Sequence, residues 1–260
     1  MGIWPLSSQT LTAYLLVLAR FGILLFMLPF FSARNVTPMV KAALAVILAI
    51  VLFPVLAVGS VSAPATVAGL GKLVAAEVMV GVIIALTVQV FFEGVRLMGQ
   101  LVGFQTGLSI ANIIDPQSGA QASIFANFAY FLAMIFFLAF NGHHILIQAV
   151  KESFEVLPVG SLQLGPSTFS HLLTVYGSMF AIAIKIGAPA IAALLFTKVA
   201  FGLIVRLIPQ MNIMIVALPA QVVIGLIFFG ICLNVLFLML QHYLSGLHAT
   251  LIHVFRLLGV

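Results

Sequence analysis

Ionisable side chains are so sparse in this chain that each one set among apolar residues needs a partner or water. Arg20 lies midway along the apolar block 11–31. An arginine at that depth in a bilayer costs roughly 2.5–3.5 kcal/mol on insertion scales, so it should face a partner or a cavity rather than lipid. The alternative is a shallow helix from which Arg20 snorkels to the interface. Gln89, Glu93, Arg96 and Gln100 fall at i, i+4, i+7 and i+11, which places them on one helix face. Gly103 and Gly107 continue that face. A polar stripe on an otherwise apolar helix points to a water-filled path or to buried partners. Glu93 and Arg96, three residues apart, can also simply neutralise each other at a membrane edge.

Other chemistry is thin. His144, Gln148 and Glu152 share a face, but no second His or Cys joins them, so a helix-end cap is favoured over a metal site. His143 and His144 point about 100° apart on a helix and cannot chelate jointly. Gly69-Leu70-Gly71-Lys72 fails the dinucleotide fingerprint at Val74, and there is neither a Walker A motif nor Gly-x-Ser-x-Gly. Five Asp and Glu in all are few for an enzyme or a proton-coupled pump. The reading is of a non-enzyme with no cofactor and no metal.

The stretch 100–121 separates two apolar blocks. It is rich in Gly, Ser, Thr, Asn and Gln, and Asp115 is its one charge. Gly99, Gly103 and Gly107 recur every four residues, a thin helical ridge that admits another backbone. Asp115-Pro116 and Ser118-Gly119 are turn signals. A polar, nearly uncharged loop between lipid-length blocks must be in water, buried in protein, or lining a cavity. We read Gly107, Leu108, Ser109, Ile110, Asn112, Ile113, Ile114, Asp115 and Pro116 as a mobile closure within a conduit. Leu108, Ile110, Ile113 and Ile114 are its apolar teeth. A plain connecting loop is the competing reading.

The elements carrying these residues are membrane helices. Hydrophobic residues make up 64% and charged residues 6% of 260, with mean hydropathy +1.33, against about 25% charged in a globular chain. The ten Lys and Arg are scattered singly, so nucleic acid is not implied. Cys232 stands alone and reads as a small core residue. Residues 1–10 hold no Lys or Arg, and the first block is expected to stay in the mature protein. Further blocks are expected over 39–58, 67–105, 122–140, 169–207 and 212–260. Breaks are expected at Asn141-Gly142, and kinks at Pro189 and Pro219. A helix over 67–105 exceeds a hydrocarbon core of about 30 Å, so it must overhang, tilt, or pack on protein. Arg34, Lys41, Arg96, Lys198 and Arg206 against Lys72, Lys151 and Arg256 mildly favour both termini outside.

These landmarks, taken in order, resemble the FliR proteins of flagellar export gates and the related SctT proteins of injectisomes. The matching pieces are Ala19-Arg20 with Pro29, Pro38-Met-Val-Lys41, Glu77-Val-Met-Val-Gly81 and Gly99-Gln-Leu-Val-Gly103-Phe-Gln-Thr-Gly107. Then come Asp115-Pro116, Phe140-Asn-Gly-His-His144, Pro158 and Pro209-Gln-Met-Asn through Pro219. The wording of the last favours the flagellar branch. The resemblance implies an all-α membrane-complex protein of long kinked helices and hairpins. It implies a FliP-like part over about 1–207, followed by a FliQ-like hairpin over about 208–260. It implies partners FliP and FliQ in a core complex, FlhB and FlhA beside it, a place in the bacterial inner membrane at the flagellar basal body, and unfolded flagellar subunits as cargo. The family's plug loop corresponds to about residues 106–123. The competing function is a small-solute secondary transporter built on broken helices at Pro189 and Pro219. It would call for two similar halves and ionisable residues meeting at mid-membrane.

Overall fold

A computed structural model describes residues 7–29, 37–56, 58, 64–108, 123–208, 210 and 212–259. Those residues form seven α-helices and a short 3₁₀ turn, with no strand among them. Five helices are long and apolar enough to cross a membrane, or six spans if one bent pair counts as a span.

Helix α1 (Ser8–Met27) starts at Ser7, whose hydroxyl accepts the Thr10 N–H at 3.2 Å. It ends as Leu28 turns extended ahead of Pro29. Helix α2 (Pro38–Leu52) opens on proline, where no N–H is needed, and runs into the 3₁₀ turn Phe53–Val55 at Pro54. Helix α3 (Val67–Gln105) has the Thr66 hydroxyl accepting the Gly69 N–H. It is about 58 Å long at 1.5 Å per residue, nearly twice a bilayer core. Helices α4 (Ile124–Ala139) and α5 (Gly142–Val156) are separated by a short break. The break is made at Asn141, whose φ of 57° is the left-handed conformation asparagine tolerates. Helices α6 (Pro166–Leu207) and α7 (Ile213–Leu258) run through Pro189 and Pro219 respectively.

The chain divides into two compact units: residues 1–89, 141–176 and 244–260, and residues 90–140 and 177–243. In the first, Leu16, Val17, Phe21 and Leu24 of α1 are buried, as are Val80, Ile83 and Ile84 of α3. Leu146, Val150 and Phe154 of α5 and Leu251, Phe255 and Leu258 of α7 complete that core. In the second, buried positions recur every three or four residues. They are Phe91, Phe92, Val95 and Met98 on α3, Ala126, Ala129, Ala133 and Phe137 on α4, Ala183, Ile186, Ala190 and Leu194 on α6, and Phe229, Cys232, Leu236 and Leu240 on α7.

The last two helices pair antiparallel. In the second unit Gly225 of α7 faces Leu194 of α6. In the first unit the Thr168 hydroxyl donates to the Leu257 carbonyl at 2.9 Å. This corrects the boundary expected from the sequence. Residues 213–258 are one helix of 46 residues, and the hairpin is made by α6 with α7. Pro219 is the seventh residue of α7, past the first turn, so it leaves the Ile215 carbonyl without its i→i−4 donor, yet the helix runs on.

Candidate functional site

The first unit contains a buried charge centre. Arg20 on α1 and Glu77 on α3 are 0% and 1% exposed and form an ion pair of 2.6 Å through Arg20 Nε. Gly81, one turn beyond Glu77, makes that approach possible. A Cβ there would lie 2.8 Å from the Arg20 carbonyl oxygen and would collide with the Ile23 side chain. Arg20 Nη1 donates to the Ser153 hydroxyl of α5 at 3.0 Å. The Leu157 carbonyl accepts from Nη1 and Nη2 at 3.4 and 3.3 Å. The guanidinium carbon is 4.1 Å from the centroid of the Phe154 ring. The second Glu77 oxygen accepts the Gly160 N–H at 3.0 Å, where Gly160 has φ of 80°. One desolvated pair thus gathers α1, α3, α5 and the turn after α5. Buried charges persist only when paired and hydrogen-bonded in this way.

Arg20 was expected to face a partner or a cavity. It faces Glu77, 57 residues away in its own chain. Lys185, another charge within an apolar block, is exposed on α6.

The same turn after α5 closes over the chain's last helix. The Gln163 N–H donates to the Leu258 carbonyl at 2.8 Å, meeting one of the otherwise open carbonyls at a helix C-terminus. Glu152 accepts from Gln148 at 3.0 Å on one oxygen and pairs with His248 of α7 at 2.8 Å on the other. The His144–Gln148–Glu152 face therefore leads to a hydrogen bond between Glu152 and His248. Among the described residues, no group of three or more His, Cys, Asp and Glu side chains could hold a metal ion.

The polar face of α3 divides between two settings. Gln89, in the first unit, donates from Nε2 to the Met27 carbonyl at the end of α1. In the second unit Arg96 Nη1 bonds Glu93 at 3.0 and 3.3 Å, the two side chains being 39% and 41% exposed. The Arg96 guanidinium lies 4.2 Å from the Tyr130 ring centroid. Gln100 is half-buried one turn further on.

Beyond this face α3 is fastened before it ends. A Cβ on Gly99 would lie 2.5 Å from the Ala126 nitrogen and 2.8 Å from the Phe125 carbonyl carbon, so α3 and α4 touch backbone to backbone there. The Ser123 hydroxyl donates to the Gly99 carbonyl at 3.3 Å. Thr106 packs on Gly225 of α7, where an added Cβ would collide with its methyl. Gly107 is not part of the helical ridge. Its φ of 81° makes it the left-handed residue that ends α3. Leu108 is exposed and borders an apolar cavity of about 400 Å³ with Ile124, Phe125, Phe128, Leu226 and Phe229. Of the sequence-derived closure, Ser109, Ile110, Asn112, Ile113, Ile114, Asp115 and Pro116 lie outside the described residues.

Known proteins share this sequence along most of its length. The family model described as bacterial export proteins, family 1, matches residues 11–247. The chain belongs to the FliR family of flagellar export proteins. The flagellar biosynthetic protein FliR of Bacillus subtilis is 30% identical over 254 residues, covering 95% of this chain and 96% of that protein. FliR of Escherichia coli is 31% identical over 216 residues, 83% and 82% of the two chains. FliR of Pectobacterium carotovorum is 30% identical over 217 residues, 84% and 82%. The chain is a membrane protein and a flagellar export component. In family terms, the Arg20–Glu77 centre joins two stretches that were matched separately in the sequence, Ala19-Arg20 and Glu77-Val-Met-Val-Gly81.

Proposed function

We propose that this chain is a non-enzymatic subunit of the flagellar protein export gate in the bacterial inner membrane. It assembles with FliP and FliQ in a core complex, with FlhB and FlhA acting beside that core. Its helices form part of the channel wall through which unfolded flagellar subunits pass. The α6–α7 hairpin is the FliQ-like element, and the helices before it are the FliP-like element. The stretch from Gly107 to Pro116 plugs the channel at rest, with Leu108, Ile110, Ile113 and Ile114 supplying an apolar constriction that excludes water. Energy for export comes from other components.

The observation that carries the assignment is the family match over residues 11–247. Two features support a place in a larger assembly. Helices α6 and α7 are each about twice as long as a hydrocarbon core is thick, yet they leave Phe169, Phe180, Phe196, Val223, Ile227 and Leu238 exposed. The Glu93–Arg96 pair and Gln100 form a half-buried polar island on α3. The test is gentle extraction of the tagged chain from its native membrane. Stoichiometric recovery of FliP and FliQ is the expected result. A chain that runs alone after crosslinking in the membrane would overturn the reading.

A further inference from the structure

A second cavity lies in the first unit and takes no part in the charge centre. Its volume is about 240 Å³, and its walls include Phe21, Leu24 and Leu28 of α1, Leu44 and Leu48 of α2, and Ile147 of α5. His143 also borders it, and its ring Nδ1 is buried without a hydrogen-bond partner. Water needs two to four polar partners in such a space, more than the one that His143 offers, and an apolar cavity of about 150 Å³ stays dry and takes up benzene. This one is larger than a single aromatic ring fills. Left empty, its lining atoms forgo dispersion contacts on that side, which packed interiors avoid.

The wall formed by α2 indicates what fills it. Only Ala45 and Ala49 are buried on that helix, both too small to reach inward. Met39, Val40, Ile47, Ile50 and Val51 are exposed on its other faces. Residues 38–55 form an apolar span of 18 residues, about the thickness of a hydrocarbon core. A helix of that length and composition is suited to border bilayer hydrocarbon, which would then lie one thin helix away from this space.

We propose that this cavity holds an acyl chain of a bilayer phospholipid. The chain enters past α2, and its headgroup stays at the membrane edge. The lipid completes the packing of α2 against α1 and α5, which the protein's own side chains leave incomplete. The proposal does not depend on the export reading.

The test uses the assembled complex in membranes containing phosphatidylethanolamine and phosphatidylglycerol with a diazirine near the methyl end of one acyl chain. After irradiation, adducts are mapped by peptide sequencing. Leu44, Leu48 and Ile147, which line the cavity, should carry adducts at a level comparable with outward-facing Ile47 and Val51. Leu48→Trp, which fills the cavity from α2, should remove the inward adducts and leave the outward ones. Ile147→Trp fills it from α5 and should do the same. Because the wild-type ratio needs no variant, it decides the matter even if both variants misfold. Inward labelling at least tenfold below outward labelling would overturn the proposal. So would inward adducts that survive both substitutions. So would inward labelling confined to the isolated chain, which would mean that a partner's side chain occupies the space in the complex.

Discussion

Arg20→Met leaves the Glu77 carboxylate at 1% exposure with the Gly160 N–H as its remaining partner and leaves the Leu157 carbonyl without a donor. Breaking a buried pair by removing one partner costs about 3–5 kcal/mol. Glu77→Gln does the converse: it strands a guanidinium at 0% exposure and should cost a similar amount. If the two losses were independent they would sum to about 6–10 kcal/mol. The geometry predicts otherwise. In the double variant the glutamine introduced by Glu77→Gln keeps an oxygen that accepts the Gly160 N–H, and neither charge of the pair is left buried. The double variant should be no less stable than either single variant, a coupling of about 3 kcal/mol, or roughly a hundredfold in the folding equilibrium. The assay is unfolding of the detergent-purified chain, followed in parallel by proteolysis within residues 157–165, the turn the pair holds. The charge reversal Arg20→Glu with Glu77→Arg should rescue nothing, because it sets a carboxylate against the Leu157 carbonyl. If Arg20→Met is as stable as wild type, or the double variant is additive within about 0.5 kcal/mol, the buried centre does not exist as described.

Gly99→Leu should separate α3 from α4 and cost at least about 1–3 kcal/mol through overpacking, read as a lower midpoint of thermal unfolding. Gly22→Ala, where an added Cβ meets nothing within 4 Å, should leave that midpoint unchanged or raise it. Gly107→Val should cost about 1–2 kcal/mol because φ is 81° there, and Gly107→Asn should recover most of it; equal costs for the two would mean that the left-handed turn is not what matters. Glu93→Gln breaks a pair that is 39% and 41% exposed, so the isolated chain should lose less than about 1 kcal/mol in the same melt.

The sequence made some of this legible because local chemistry decides it. An unbroken apolar run from Val67 to Gln105, ended by a glycine, became one helix with those bounds. Asn141-Gly142 supplied the one non-glycine residue with positive φ among the described residues. Arg20 stood out because insertion energetics make a lone arginine costly. Its partner did not stand out. Glu77 is 57 residues away, and no periodicity links one helix to another across that distance. The available signal was weaker: two lone charges of opposite sign in apolar blocks of a chain with five acids. Gly107 was grouped with Gly99 and Gly103 because spacing alone cannot distinguish a helical ridge from the glycine that stops the helix. The hairpin boundary failed for a related reason. Pro219 reads as a kink, yet α7 runs through it, and its buried face continues through Leu240, Leu244, Leu247 and Leu251. Tertiary packing overrode the local signal.

The central claim is that this chain helps to wall and plug a protein-conducting channel, and ion or dye leakage tests it most directly. Asn112 to Ala120 is deleted, the complex is expressed in cells, and its assembly is checked separately by recovery of FliP and FliQ. An open conduit for unfolded protein passes small ions unless something seals it. The account predicts higher membrane conductance, dye entry and slowed growth in cells making the deletion variant, with the complex assembled as in wild type. A deletion variant that assembles fully and stays as tight as wild type would contradict it and place the closure in a partner subunit.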